Sequence, residues 1–230
     1  MIIKSSDHRL QYLKYCIEDN KDDDTIFYHL LLLKNVKIED ISYDNLLFWL
    51  MIQNAPTQYI EFVLSLQCID INTIYSNSNE NMLFYAAKQN KINYAKQLLK
   101  YNIYINQYSH TNDSALLWSI YHRHYDTTML LIQHGADVYH SYKDGKDAFL
   151  WAAFRNTEDI FESLLPYLKN VNKQDNHSKD ICNLTQSYII RSLLWNHIRK
   201  NKIYLFYYFK QQKFTCSEFN ILNIISKMYS

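Results

Sequence analysis

The chain has 230 residues, 48% of them apolar, with Lys plus Arg 24 against Asp plus Glu 23 and a formal charge of +1; that suits one ordinary domain or one elongated array and excludes a disordered tail. A near-neutral total without a long basic run does not indicate electrostatic capture of nucleic acid, and leaves only a local patch open. Only two glycines, Gly135 and Gly145, are present, which excludes a Gly-rich phosphate loop, a dinucleotide fingerprint and a G-x-S-x-G nucleophile elbow, since each needs several positions free of Cβ.

In chain order, residues 1–39 hold two apolar periodic stretches, Leu10 to Ile17 and Ile26 to Leu33, separated by Asn20-Lys21-Asp22-Asp23-Asp24. They predict an N-terminal capping pair of helices. Residues 40–75 read as a degenerate helix pair, Leu47 to Asn54 and Tyr59 to Leu64, lengthened around Ala55-Pro56-Thr57. From there the chain repeats itself. Leu83-Phe84-Tyr85-Ala86-Ala87, Leu116-Leu117-Trp118-Ser119-Ile120 and Phe149-Leu150-Trp151-Ala152-Ala153 begin 33 residues apart. The segments Tyr94 to Leu99, Thr127 to Ile132 and Ile160 to Leu165 keep the same register, as do Ile105-Asn106, Val138-Tyr139 and Val171-Asn172. This defines copies at 76–108, 109–141 and 142–174.

Each copy places a short apolar patch with small residues ahead of a second apolar segment, the pattern of two short antiparallel helices. Ala86-Ala87 and Ala152-Ala153 allow close helix approach. Asn102 and Gly135 fall where a second helix ends in a left-handed residue. Leu168 breaks that rule, and Pro166 predicts a shortened helix and an altered turn there. Residues 175–208 read as a degenerate copy in which Leu194 to Ile203 resembles Leu83 to Ile92; the interval predicts a long inserted finger around His177 to Gln186. Residues 209–230, with Phe219, Ile221, Leu222, Ile224 and Ile225 in helical spacing, predict a closing helix.

The 33-residue period, together with Gly135-Ala136-Asp137-Val138 and Asp144-Gly145-Lys146-Asp147-Ala148-Phe149, resembles the ankyrin repeat family with its G-A-D-V and D-G-x-T-P-L signatures. The resemblance implies an all-α fold: an α-solenoid of about five to six stacked helix-turn-helix repeats with short hairpin loops. It also implies a non-enzymatic module without cofactor, a monomer that binds another protein through the concave face of hairpin tips and first-helix ends. Carried over column by column, that face takes Asn77, Ser78 and Glu80 with Lys88 and Gln89, then His110, Thr111 and Asp113 with Tyr121 and His122, then Lys143, Asp144 and Lys146 with Phe154 and Arg155. Tyr121, Phe154 and Arg155 are the favoured anchors, because aromatic and guanidinium groups dominate desolvated hot spots.

Degenerate repeats and a composition rich in Tyr, Asn, Ile and Lys are similar in style to ankyrin proteins of large DNA viruses or intracellular bacteria, implying a host protein as partner. Two rivals stand beside the plain binder. One is a substrate-recognition adaptor of a ubiquitin ligase, although the last helices show no F-box-like pattern. The other is the recognition arm of an enzyme with catalysis in 175–230, a segment short for an independent catalytic domain.

Other chemistry is weaker than its bland alternative. His122 and His124 stand at i, i+2 and point apart on a helix, His110, His134 and His140 complete no metal motif, and His124 holds a column where the family has a turn-stabilising histidine. Cys16, Cys68, Cys182 and Cys216 form no C-x-x-C pair, which favours structural thiols in a reducing cytoplasm; Cys182 alone lies outside a core column. The run Tyr204 to Phe209 between lysines fits helix packing better than base stacking. Asp22-Asp23-Asp24 lacks the alternation of a calcium loop. The sequons at Asn112 and Asn183 matter only in a secreted chain, and neither a secretion signal nor a membrane span is expected.

Overall fold

The computed structural model describes residues 15, 26, 43–65, 70–72, 74 and 78–200. The capping pair in 1–39 (apart from Tyr15 and Ile26) with its Asp22 to Asp24, the hairpin residue Asn77, Cys16, Cys68 and Cys216, the run 204–209 and the closing helix 209–230 lie outside the described residues. The chain divides into two compact units, Met1–Asp137 and Val138–Ser230. Among the described residues there is no strand, and the fold is all-α, built from ankyrin-like helix pairs.

In the first unit α1 (Tyr43–Ile52) and α2 (Thr57–Ser65) form one pair, α3 (Met82–Lys88) and α4 (Ile92–Lys100) the next, and α5 (Ala115–Tyr121) and α6 (Tyr125–Gln133) the third. First helices pack on first helices, α3 on α5, and second on second, α2 on α4 and α4 on α6. Met82, Leu83, Ala86 and Ala87 are completely buried, as are Ala95 and Leu98. The alanines set how closely the two layers approach, and the leucines fill the space between them. Ser119 occupies the Ala86 column one repeat later and is equally buried. Its hydroxyl donates to Leu116 O at 2.8 Å and meets Thr128 Oγ1 at 2.8 Å, so no polar group is stranded.

Three first helices start on a side-chain cap in the same column. Asn81, Ser114 and Asp147 accept from the backbone N–H of Leu83, Leu117 and Leu150, satisfying donors that a helix start leaves open. Left-handed residues punctuate the chain at the same interval: Asn79, Asn112, Gly145 and Ser178 in the hairpin turn, and Asn90, Arg123 and Asn156 after the first helix. Asn102 and Gly135 end the second helices at φ 59° and 88°, as the sequence predicts. His124 ties neighbouring repeats of the first unit together, its Nδ1 lying 2.9 Å from Ala87 O.

The second unit contains α7 (Ala148–Arg155), α8 (Glu158–Leu164), a 3₁₀ turn (Leu165–Tyr167), α9 (Ile181–Leu184) and α10 (Tyr188–Lys200). Pro166 sits in the 3₁₀ turn and Leu168 follows in an extended conformation, so α8 has 7 residues where α4 and α6 have 9. This is the shortened helix and altered turn expected at Leu168.

The expected finger at His177 to Gln186 is a correction. Asp175 N donates to Lys179 O, the same bond that Ser109 N makes to Asp113 O and Tyr142 N to Lys146 O. Asp180 then caps α9 through Asn183 N at 2.9 Å. The 33-residue register therefore continues without insertion, and it is the first helix that is cut short, to 4 residues. Thr185 takes the Ala152 column, donating its hydroxyl to Asn156 Oδ1 at 2.8 Å as the backbone turns extended. The guanidinium of Arg191 donates to Thr185 O at 2.9 Å, closing the orphan carbonyls of this short helix. In compensation α10 runs to 13 residues and packs on α8.

Candidate partner-binding face

The first helices carry three outward columns. Tyr85, Trp118 and Trp151 form one, Lys88, Tyr121 and Phe154 the second, and Gln89, His122 and Arg155 the third. Beneath them lie the buried alanine and leucine columns, which fix the helix backbones and hence the positions of these side chains.

In the first unit Trp118, Tyr121, His122 and His124 form a connected ring cluster. Trp118 meets Tyr121 edge-on at 5.7 Å, His122 stacks on Trp118 at 5.4 Å, and His124 stacks on His122 at 5.6 Å. Tyr121 also meets His122 edge-on at 5.1 Å, and Phe48 of α1 meets Tyr85 at 5.5 Å. Exposed Lys88 places its ammonium 4.6 Å from the centre of the Trp118 ring, a cation–π contact. Gln89 is exposed, while Tyr121 and His122 are half-buried. Burial raises the pKa of the Tyr85 phenol, which stays neutral.

The hairpin-tip residues divide by role. His110 and Thr111 are exposed, and Glu80 and Asp113 half-buried. Thr111 donates its hydroxyl to Asp113 at 2.8 Å, and His110 N donates to Ser78 O at 2.9 Å. Thr111 and Asp113 thus brace the turn they occupy, and His110 projects from it.

In the second unit Lys143 is exposed, with its ammonium 5.5 Å from the Tyr142 ring. Phe154 is 45% exposed and meets Trp151 edge-on at 5.5 Å. Arg155 is half-buried at the end of α7. Lys146, expected among the surface contacts, is 7% exposed. Its ammonium lies 2.7 Å from Asp144 and 3.2 Å from Asp175, and 5.5 Å from the rings of Trp151 and Phe154. Burial alone would lower its pKa, but hydrogen bonds and charge from Asp144 and Asp175 hold it above the usual lysine value. Burial likewise opposes ionisation of Asp175, yet the N–H groups of Lys179 and His177 and the Lys146 ammonium keep its pKa below the usual range. Lys173 adds a second bridge to the helix cap Asp147 at 3.0 Å. Lys146 is therefore an internal tie between consecutive hairpin turns, with no surface left for a partner.

The tryptophan column is what motif matching missed. Trp118 and Trp151 fall 33 residues apart inside the pentapeptides that define the repeat, and their regularity resembles a core column. Only the structure shows both half-buried beside the exposed ends. Among the described residues no group of three or more His, Cys, Asp or Glu side chains could hold a metal ion, and no helix is long and apolar enough to cross a membrane.

Paired helices, a 33-residue register of caps and left-handed turns, and layered packing define a helical repeat protein. Residues 116–168 match the family described as ankyrin repeats (many copies). Proteins built from such repeats generally mediate protein–protein interaction. No curated protein sequence matches the chain.

Proposed function

We propose that this protein is a non-enzymatic, monomeric binding module that engages a partner protein through the hairpin tips and first-helix ends of its repeats. We read 76–108, 109–141 and 142–174 as its complete repeats, flanked by the degenerate stretches 40–75 and 175–208. The observation that carries the reading is the contrast between columns: alanines and leucines buried beneath, and Lys88, Tyr121, Phe154 and Arg155 on rigid helix ends above. Rings and guanidinium groups held in place lose little entropy on binding and supply most hot-spot energy. The contact set is Glu80, Lys88, Gln89, His110, Thr111, Asp113, Tyr121, His122, Lys143, Phe154 and Arg155, with Trp118 and Trp151 added. The style of the sequence favours a host protein as partner, met in the host cytoplasm.

Affinity capture with the full chain tests this. Tyr121→Ala and Arg155→Ala should each weaken capture, a loss of about 2 kcal/mol or more for a central anchor, with helicity and melting temperature nearly unchanged. Lys96→Glu, on the exposed side of α4, should leave capture intact. The reverse order of effects would show that the partner uses the other face.

A further inference from the structure

Resting on the partner-binding reading above, we infer that the α3–α5 face of the first unit takes an acidic peptide segment of the partner protein. From Asn81 to Asn112 the sequence holds four lysines, Lys88, Lys91, Lys96 and Lys100, and no Asp or Glu. From Ser114 to Tyr125 there is again no acid, while Arg123 adds a further cation. Of the four lysines only Lys100 forms an ion pair among the described residues, with Glu61 at 3.7 Å and both groups exposed. The nearest acids in sequence are Glu80 and Asp113, on the hairpin tips, and Asp113 is engaged by Thr111. Lys88, Lys91 and Lys96 therefore have no ion-pair partner among the described residues, and a partner of opposite sign supplies the complement.

The ring cluster refines the class. Lys88 is the lysine held at the aromatic group, with its ammonium over Trp118 while the side chain stays exposed. The Trp118 indole N–H has no acceptor among the described residues. A carboxylate arriving at Lys88 meets a localised cation beside an apolar ring surface, which suits an acidic residue next to an apolar one. Single-stranded nucleic acid is less well served. Base stacking needs an open ring face, and here Lys88 already lies over the indole while His122 stacks on it.

Fluorescence anisotropy on the full chain decides the matter, using a short labelled peptide of alternating glutamate and leucine, its glutamine counterpart and a labelled oligothymidylate. The glutamate peptide should bind, with affinity falling as salt rises. Lys88→Glu should weaken it about tenfold or more, and Lys96→Glu much less. Equal binding of the glutamine peptide, tighter binding of the oligonucleotide, equal effects of the two lysine reversals, or no binding of the glutamate peptide would each overturn the proposal. If the glutamate peptide fails while partner capture still depends on Tyr121, the acidic class is wrong and the partner-binding reading stands. If capture is indifferent to Tyr121, that reading falls on its own test.

Discussion

Gly135 and Gly145 both adopt positive φ, 88° and 86°, yet their surroundings differ. A Cβ on Gly145 would lie 2.5 Å from Asn176 Oδ1 and 2.9 Å from Asn176 N, whereas one on Gly135 meets nothing within 4 Å. Asn176 N donates to Asp144 O at 2.8 Å and its side-chain amide donates to Lys143 O at 2.8 Å, so the contact cannot open without losing both bonds. Gly145→Ala should cost about 2 kcal/mol or more, combining left-handed strain with the clash, while Gly135→Asn should cost a few tenths, as Asn102 fills the same column. Thermal melts of the two variants check the contrast. Lys146 gives a second expectation. Lys146→Met leaves the buried Asp175 carboxylate without its cation, at a cost of about 3 kcal/mol. The folded lysine has a raised pKa, so its contribution is complete below the ordinary value of 10.5 and fades as pH rises through the folded value. The stability gap between wild type and Lys146→Met, measured by denaturant titration, should therefore narrow only above that pH.

How an element ends decides where pattern reading succeeds. The helix pairs of 76–174 were legible because the apolar pentapeptides, the second-helix segments and the Asn102 and Gly135 turns repeat at one interval, and the structure starts α3, α5 and α7 at Met82, Ala115 and Ala148 in that interval. The first helix α9 was not legible, because Ile181-Cys182-Asn183-Leu184 lacks the apolar signature and the alanine columns hold Thr185 and Gln186. The conserved interval survives there only in Asp180, the cap, and in the turn at Asp175 to Lys179. An apolar match to Leu194 then suggested an insertion that does not exist. Long-range polar bonds do the work of the missing helical turn. Asn156 Oδ1 accepts from Thr185 Oγ1 at 2.8 Å, Gln186 N at 2.9 Å and Ser187 N at 3.0 Å, and Ser187 donates its hydroxyl to Glu158. Asn156→Ala removes this acceptor and the left-handed preference together, and should destabilise the unit by about 2–3 kcal/mol. Asn156→Gly keeps the backbone and loses the bonds, so it should fall between Ala and wild type in a urea titration. Of the candidate face, exposed columns were legible by counting, whereas burial of Lys146 was not: its cation is claimed by Asp175, 29 residues later, through a turn that the insertion reading had dissolved.

At the scale of the whole molecule, the described helix pairs pack on their sequence neighbours within each unit, and stability in such an array is a sum of repeat and nearest-neighbour terms. A local lesion should then open the repeats that touch it before those that do not. Ala86 is completely buried at the meeting of α3 with its neighbours, and Ala86→Glu places a carboxylate there without a partner, at a cost of several kcal/mol. Lys146→Met acts instead on the ties between the turns at Tyr142 to Asp147 and Asp175 to Asp180 in the second unit. Amide hydrogen exchange followed by mass spectrometry should separate the two. Ala86→Glu should raise exchange first in α1 to α6, and Lys146→Met first in α7 and α9, each leaving the other unit nearer its wild-type protection. Uniform acceleration across all ten described helices in both variants would mean that the chain unfolds as one cooperative block. The binding consequence follows from the same locality: a partner contact made by Lys88 and Tyr121 should survive Lys146→Met at temperatures where the second unit has begun to open, and should be lost early in Ala86→Glu.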